Sequence, residues 1–223
     1  MNPRKPLLLV GASGHCHALL AVIQRLGEYA PIGLMDSQQP IGSTVYGLPV
    51  LGREADATAL CRDRQIGHLF VAVGHNAHRQ RLTEQLREHV PEIVFPALVD
   101  PSAVVAADAR LGAGVAVMAL AHVGAGTVLS DGALINTSAS VDHDCVLEPF
   151  SSLAPGVVTG GSVQLGNRSA LCLGARVVHR CSIGSDTVVG AGSLVLNDLP
   201  AGVLAYGSPV QVIRQRDRQE PYL

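Results

Sequence analysis

The stretch VMALAHVGAGTVLSDGALINTSASVDHDCVL, residues 117–147, has an apolar residue at every sixth position. The period extends without a break from Val99 to Pro200. Stepping by six from Val99 gives Val105, Leu111, Val117, Val123, Leu129, Ile135, Val141, Leu147, Leu153, Thr159, Leu165, Leu171, Val177, Ile183, Val189 and Val195. All but Thr159 are Val, Leu or Ile, although only 48% of the chain is hydrophobic, so the repeat is not a product of composition. Four residues after each, the side chain is mostly small: Ala103, Ala109, Ala121, Thr127, Ala133, Ala139, Cys145, Ser151, Ser169, Ala175, Cys181, Thr187 and Ser193. One large and one small inward residue per hexad is what a triangular coil can pack. Neither a helical period nor simple alternation fits six. A parallel β-helix does, with coils stacked about 4.8 Å apart. Gly112, Gly124, Gly166, Gly184 and Gly190, one residue after the aliphatic, are expected at corners with positive φ.

Before the repeat, the chain alternates strands and helices. Leu7 to Val10 runs into the turn Gly11-Ala12-Ser13-Gly14-His15, and an amphipathic stretch (Leu19, Leu20, Val22, Ile23, Leu26) follows. Ile32–Met35 is a second strand ending at Asp36. After Leu48-Pro49-Val50-Leu51-Gly52 comes a helix near residues 54–64. His68–Val73 is a third strand, residues 77–89 a helix, and Ile93–Phe95 a fourth strand. This order implies a small Rossmann-like parallel α/β sheet. We place this domain at residues 1–96, the β-helix at 97–200 and a C-terminal cap at 201–223. In the cap, Tyr206-Gly207-Ser208-Pro209 is a turn over the last coil, and residues 211–219 suit a short polar helix.

Composition excludes several classes. A formal charge of −2, 3% aromatic residues and no Trp leave no basic or stacking surface for nucleic acid. The apolar run Leu7–Val10 is too short for a signal peptide or membrane span, which points to the cytoplasm. Five cysteines without CxxC read as free thiols rather than a disulfide framework.

Two features carry chemistry. The glycine-rich turn presents backbone N–H groups and a helix N-terminus, a natural anion site. Ser13, Gly14, His15, Asp36, Gly52 and His75 all fall at carboxyl ends of predicted strands, where ligands of such sheets bind. In Val141-Asp142-His143-Asp144-Cys145, two carboxylates flank a histidine, and pairing with a carboxylate gives an imidazole the basicity that a general base needs.

The GASGH turn, the strand ending in Asp36, Gly47-Leu48-Pro49-Val50-Leu51-Gly52, and hexads containing Asn136 and His143-Asp144-Cys145 together resemble the sialic acid O-acetyltransferase / nucleotide-amino-sugar N-acetyltransferase family. The resemblance covers nearly the whole chain. It implies a left-handed parallel β-helix and an acetyl-CoA-dependent N-acetyltransferase for a nucleotide-linked amino sugar. His143 would be the base, with Asp144 raising its basicity, in a direct transfer without an acyl-enzyme. Asn136 would help position the sugar; Ser13, Gly14 and His15 would receive the diphosphate; Asp36 would lie near the base and Gly52 beside the ligand. Acetyl-CoA would lie in a groove between solenoids, at Ser152, Gly161, Leu173 and Ala191. The family is a homotrimer with sites shared between subunits and uses no metal. Three positions depart from its pattern: Ser152 replaces a second histidine, Glu148 a glycine, and His75 an aspartate.

Other readings compete. A sugar O-acetyltransferase and a non-catalytic nucleotide-sugar-binding protein fit the same outline. A zinc site at His122, His143 and His179 does not, because His143 and His179 lie two coils, about 9.6 Å, apart and His122 has another phase. Cys145 is excluded as a nucleophile by its inward phase.

Overall fold

The computed structural model describes residues 3–222; Met1, Asn2 and Leu223 lie outside the described residues. The front of the chain forms β1 (Lys5–Val10), α1 (Gly14–Leu26), β2 (Tyr29–Met35), β3 (Thr44–Val45), β4 (Leu48–Gly52), α2 (Ala57–Asp63), β5 (Leu69–Val71) and α3 (Asn76–His89). The sheet order is β3-β4-β2-β1-β5, parallel except for the β3–β4 hairpin. β1 is central, and its residues Leu7 to Val10 are fully buried, which explains why they read as an unbroken apolar run rather than an alternation.

The fourth strand expected at Ile93–Phe95 is reduced to a single bridge, His68 to Val94. Pro96 follows directly and supplies no N–H to extend a ladder. β1 turns at Gly11, whose φ of +103° and approach to Ala72 and Val73 leave no room for a Cβ.

From Leu98 the chain coils as a three-sided parallel β-helix of two-residue rungs, each pairing with the rung one coil on: Leu98 with Ala116, Val104 with His122, Arg110 with Val128. Face one begins at Leu98–Val99, face two at Val104–Val105 and face three at Arg110–Leu111. The aliphatic ladder and the small residues four positions on fill the interior together.

The corner glycines need correction. Positive φ falls two residues after the expected position, at Gly114, Leu120, Gly126, Gly132, Ser138, Asp144 and onward every six residues. Gly112, Gly124, Gly166, Gly184 and Gly190 are required for another reason. At Gly112 an added Cβ would come within 2.6 Å of the Asp131 backbone nitrogen, in the next coil. Close stacking of coils, not turn handedness, selects glycine there.

The C-terminal region also differs from expectation. Val203–Gly207 pairs in parallel with Val188–Val189 and so extends face one. Residues 211–219 suit a short polar helix in sequence, but the chain over Val210–Gln215 is an antiparallel strand against it. β-branched Val210, Val212 and Ile213 suit this strand better than a helix. The turn between the two is Gly207-Ser208-Pro209, with a cis Ser208–Pro209 bond.

The front domain rests on face one. α1 and the sheet pack onto Leu98, Ala116, Met118 and Leu134. Arg25 on α1 holds the buried Asp100 carboxylate, with Nε at 2.8 Å. α3 covers the corner between faces three and one. There Arg79, fully buried, donates to the carbonyls of Val73, Gly74, Gly132 and Phe150 and to Asn76 Oδ1.

Candidate active site

His143 lies in the turn between Ser140–Val141 on face two and Val146–Leu147 on face three. Asp144 adopts φ +56°, a left-handed conformation that a short polar side chain tolerates. Its carboxylate turns back to His143, with Oδ2 2.8 Å from Nδ1, while Asp142 Oδ1 accepts from the His143 backbone N–H at 2.8 Å. The ring is about half exposed. The hydrogen bond to Asp144, then the charge of Asp142, raises the His143 pKa above the ordinary histidine value. An Nδ1–H held by a carboxylate leaves Nε2 as the basic atom, and Nε2 has no hydrogen-bond partner among the described residues.

The solenoid prepares a place for this pair. A Cβ on Gly126, one coil before, would approach Asp144 Oδ1 to 2.7 Å, and one on Gly161, one coil after, would approach His143 Nε2 to 2.4 Å. Two inward hydroxyls brace the turn from either side. Thr127 donates to the Asp142 carbonyl at 2.9 Å, and Thr159 accepts from the Asp142 N–H at 3.4 Å. The lone break in the aliphatic ladder, Thr159, therefore lies directly behind the histidine turn.

A second constellation lies across the molecule. A cavity of about 790 Å3 opens between the front domain and face one, and Gly14, His15, Asn136, Ser152, Leu173 and Ala191 all line it. Six of the sequence-predicted positions thus converge. Burial, then the nearby Arg79 charge, lowers the His15 pKa to about 4, so the ring is neutral at pH 7. Ser13 caps α1 by backbone geometry without a side-chain hydrogen bond, which leaves its hydroxyl uncommitted.

The remaining predicted residues are placed differently. Asp36 accepts from backbone N–H groups of two loops: Oδ2 from Ala12 of the β1–α1 turn at 2.8 Å, and Oδ1 from Gln38 and Gln39. Gly52 is buried where a Cβ would meet Asp56 and Leu60, a packing role. Gly161 sits beneath His143 rather than in the cavity, and its N–H donates to His179 Nδ1 at 2.9 Å. Ser152 Oγ accepts from Asn76 Nδ2 at 2.9 Å. His143 and Asp144 are not in the cavity lining: they occupy the corner opposite face one, so one chain does not bring the base and the cavity together.

Some site residues have no signature in the sequence. Asn76 also donates to the Arg168 and Ser169 carbonyls, and Tyr222 lies near the end of the chain with its hydroxyl accepting from the Asn76 N–H at 3.0 Å. Gly126 is different: it lies one coil from Asp144, and that offset is visible in the sequence.

A Rossmann-like domain leading into a hexapeptide solenoid with a carboxylate-held histidine at a corner defines an acyltransferase of the hexapeptide class. Residues 6–86 match the PglD N-terminal domain family. A histidine-to-alanine variant of GDP-perosamine N-acetyltransferase from Caulobacter crescentus, solved in complex with CoA and GDP-perosamine, is 37% identical. It superposes with a TM-score of 0.89 over 94% of this chain and 97% of that one. The acetyltransferase domain of PglB from Neisseria gonorrhoeae, in complex with acetyl coenzyme A, is 33% identical with a TM-score of 0.88, over 95% and 100%. Among curated sequences, serine acetyltransferase 2 of Arabidopsis thaliana is 30% identical over 66% of this chain and 41% of its own length. The chain spans less than half the length of the curated relatives it matches.

The chain belongs to the family of sialic acid O-acetyltransferases and nucleotide-amino-sugar N-acetyltransferases, with the left-handed parallel β-helix of hexapeptide-repeat acyltransferases. Among the described residues no helix is long and apolar enough to cross a membrane.

Proposed function

We propose that this chain transfers the acetyl group of acetyl-CoA to the amine of a nucleotide-linked amino sugar, with His143 as general base. The observation that carries this reading is the His143–Asp144 pair: Nδ1 fixed at 2.8 Å, a raised pKa, and Nε2, above Gly161, with no hydrogen-bond partner among the described residues. Its near full-length relatives add support, since by name one acts on GDP-perosamine and another holds acetyl coenzyme A. That favours an amine over the hydroxyl of a free sugar.

In the proposed step the sugar nitrogen attacks the thioester carbonyl while its proton passes to Nε2. The C–N bond forms, the C–S bond breaks, and the imidazolium returns the proton to the departing thiolate. Asp144 stabilises the imidazolium between the two transfers. No acyl-enzyme is required, in keeping with the burial of Cys145. We assign the front domain, expected over residues 1–96, to the nucleotide sugar, residues 97–200 to acyl transfer, and the region from residue 201 to closure of the cleft.

We further propose a homotrimer. His143 occupies the corner opposite the face that carries the front domain, so a nucleotide sugar held at Gly14 and His15 reaches a base only from another copy. Val104 and Val158 on face two and Leu120 beside it are exposed apolar side chains, suited to packing between solenoids.

The test is His143→Ala with nucleotide amino sugars and acetyl-CoA. A loss of at least about 100-fold in turnover is expected, with nucleotide-sugar binding retained; near-normal turnover removes His143 as the base. Co-expressing His143→Ala with a binding-deficient front-domain variant should restore part of the activity if sites are shared, and restores none if each chain works alone.

A further inference from the structure

The end of the chain folds back over the cavity, and its Arg214, Arg216 and Glu220 are the charged side chains in a lining that is otherwise largely apolar. They are arranged around one another. Arg214 presents both terminal nitrogens to the Glu220 carboxylate in a fork, with Nη1 2.9 Å from Oε2. Arg216 donates through Nη2 to the Glu220 carbonyl at 2.6 Å and through Nη1 to the Asp186 carbonyl at 2.8 Å. Two residues further on, Tyr222 anchors the segment. Its hydroxyl accepts from the Asn76 N–H, and its ring lies 5.1 Å from that of His75, between centroids. Burial, the largest influence, raises the Tyr222 phenol pKa, and Asn76, whose N–H bonds that phenol, donates its side-chain amide to Ser152 Oγ. His75 and Ser152 are two of the three positions where the chain departs from its family's pattern; Tyr222 meets His75 directly and is linked to Ser152 through Asn76.

We propose that Arg214 and Arg216 form a phosphate site which Glu220 fills in the free protein, and that a phosphate-bearing ligand takes Arg214 by displacing Glu220. A forked guanidinium binds phosphate in the geometry it uses for carboxylate, so the Glu220 group stands where two phosphate oxygens would sit. The floor behind it is formed by outward residues of face one, Leu134, Ala170, Val188 and Leu204, an apolar surface suited to an aliphatic arm reaching inward from a charged head. That combination fits a CoA-type thioester, and this choice of ligand rests on the acetyl-transfer reading above. A nucleoside diphosphate offers the same phosphate chemistry and is the other source to be distinguished.

The experiment is calorimetric titration of the full chain with CoA, with pantetheine, which lacks the phosphates, and with GDP. Among the described residues the Arg214 guanidinium hydrogen-bonds only Glu220 and the neighbouring Gln215 carbonyl, so Arg214→Gln should leave the fold intact. It should weaken CoA at least about tenfold, since a charged hydrogen-bonded pair is lost, and leave pantetheine unchanged. Glu220→Gln should tighten CoA several-fold by removing the internal competitor. Weakening of GDP with CoA unchanged supports the phosphate site and assigns it to the nucleotide sugar. CoA and GDP both within twofold of the parent protein in Arg214→Gln overturn the proposal, as does tighter binding of neither in Glu220→Gln. The acetyl-transfer reading fails separately: no acetyl transfer from acetyl-CoA to any nucleotide amino sugar by the parent protein removes it while leaving these titrations as they are.

Discussion

The imidazole of His143 stands over Gly161, one coil further along the solenoid, so closely that a methyl group at Gly161 would meet Nε2 at 2.4 Å. The atom in the way is the far end of a half-exposed side chain, which can swing aside at little cost in stability. Gly161→Ala should therefore keep its Tm within about 3 °C and lose roughly 100-fold in turnover, the expected result of displacing a base by about 1 Å. Thermal melts beside steady-state rates check this; a large drop in Tm with normal turnover would refute it.

Asp144 sets the protonation range of the base. In the proposed mechanism the neutral imidazole is the active form, so turnover should rise with pH through the His143 pKa, which the hydrogen bond to Asp144 and the Asp142 charge raise. Asp144→Asn removes the larger influence. The acidic limb of the pH–rate profile should move to lower pH while the plateau rate falls, because a weaker base accepts the proton less readily. An unmoved limb would assign it to another group.

Cys145 is buried, and burial raises its thiol pKa. Its sulfur lies 3.3 Å from the Gly160 carbonyl. Cys145→Ala should retain turnover within about twofold, and alkylating reagents should label it slowly at neutral pH, since the thiolate is the reactive form. Loss of activity together with a trapped acyl-cysteine would establish the covalent route instead.

Arg79 fastens α3 to the solenoid through the Gly132 and Phe150 carbonyls, and it also satisfies the Val73 and Gly74 carbonyls and the Asn76 side chain. Arg79→Met leaves those buried acceptors without donors and should cost about 3 kcal/mol or more of unfolding free energy. Urea denaturation measures it; a change below 1 kcal/mol would mean that water or neighbouring groups replace the guanidinium.

His15 provides a pH signature of the folded state. Its pKa falls from 6.5 to about 4 on folding, through burial and then the Arg79 charge. Below about pH 6.5 the unfolded chain binds a proton that the folded chain refuses, so this contribution to stability is present above 6.5 and disappears as pH falls toward 4. His15→Gln should flatten that part of the stability–pH curve, and histidine NMR should show a resonance titrating near 4.

The solenoid was legible because its constraint recurs: each inward aliphatic faces the same three-sided interior, and only a period of six satisfies it. The His143 turn was legible because its partner is adjacent in sequence. The C-terminal strand was not. Residues 211–219 are polar and lack strong alternation, and their pairing is decided by the free edge of face one at Val203–Gly207. Asp36 is less distinctive: a carboxylate at a strand end suits a ligand and equally suits backbone donors, and here the N–H groups of Ala12, Gln38 and Gln39 bond it. Arg79 gave no signal, since its partners are carbonyls brought near only by the completed fold.

The siting of His143 at the vertex facing away from the front domain has a consequence for how the protein behaves in a cell. Under the shared-site proposal a solitary chain would hold only part of each reaction centre and complete none. Below the concentration at which copies associate, activity per chain should fall with dilution, and newly made chains stay inert until they meet. Thioester is then spared hydrolysis by unassembled protein, and the onset of catalysis reports assembly rather than synthesis.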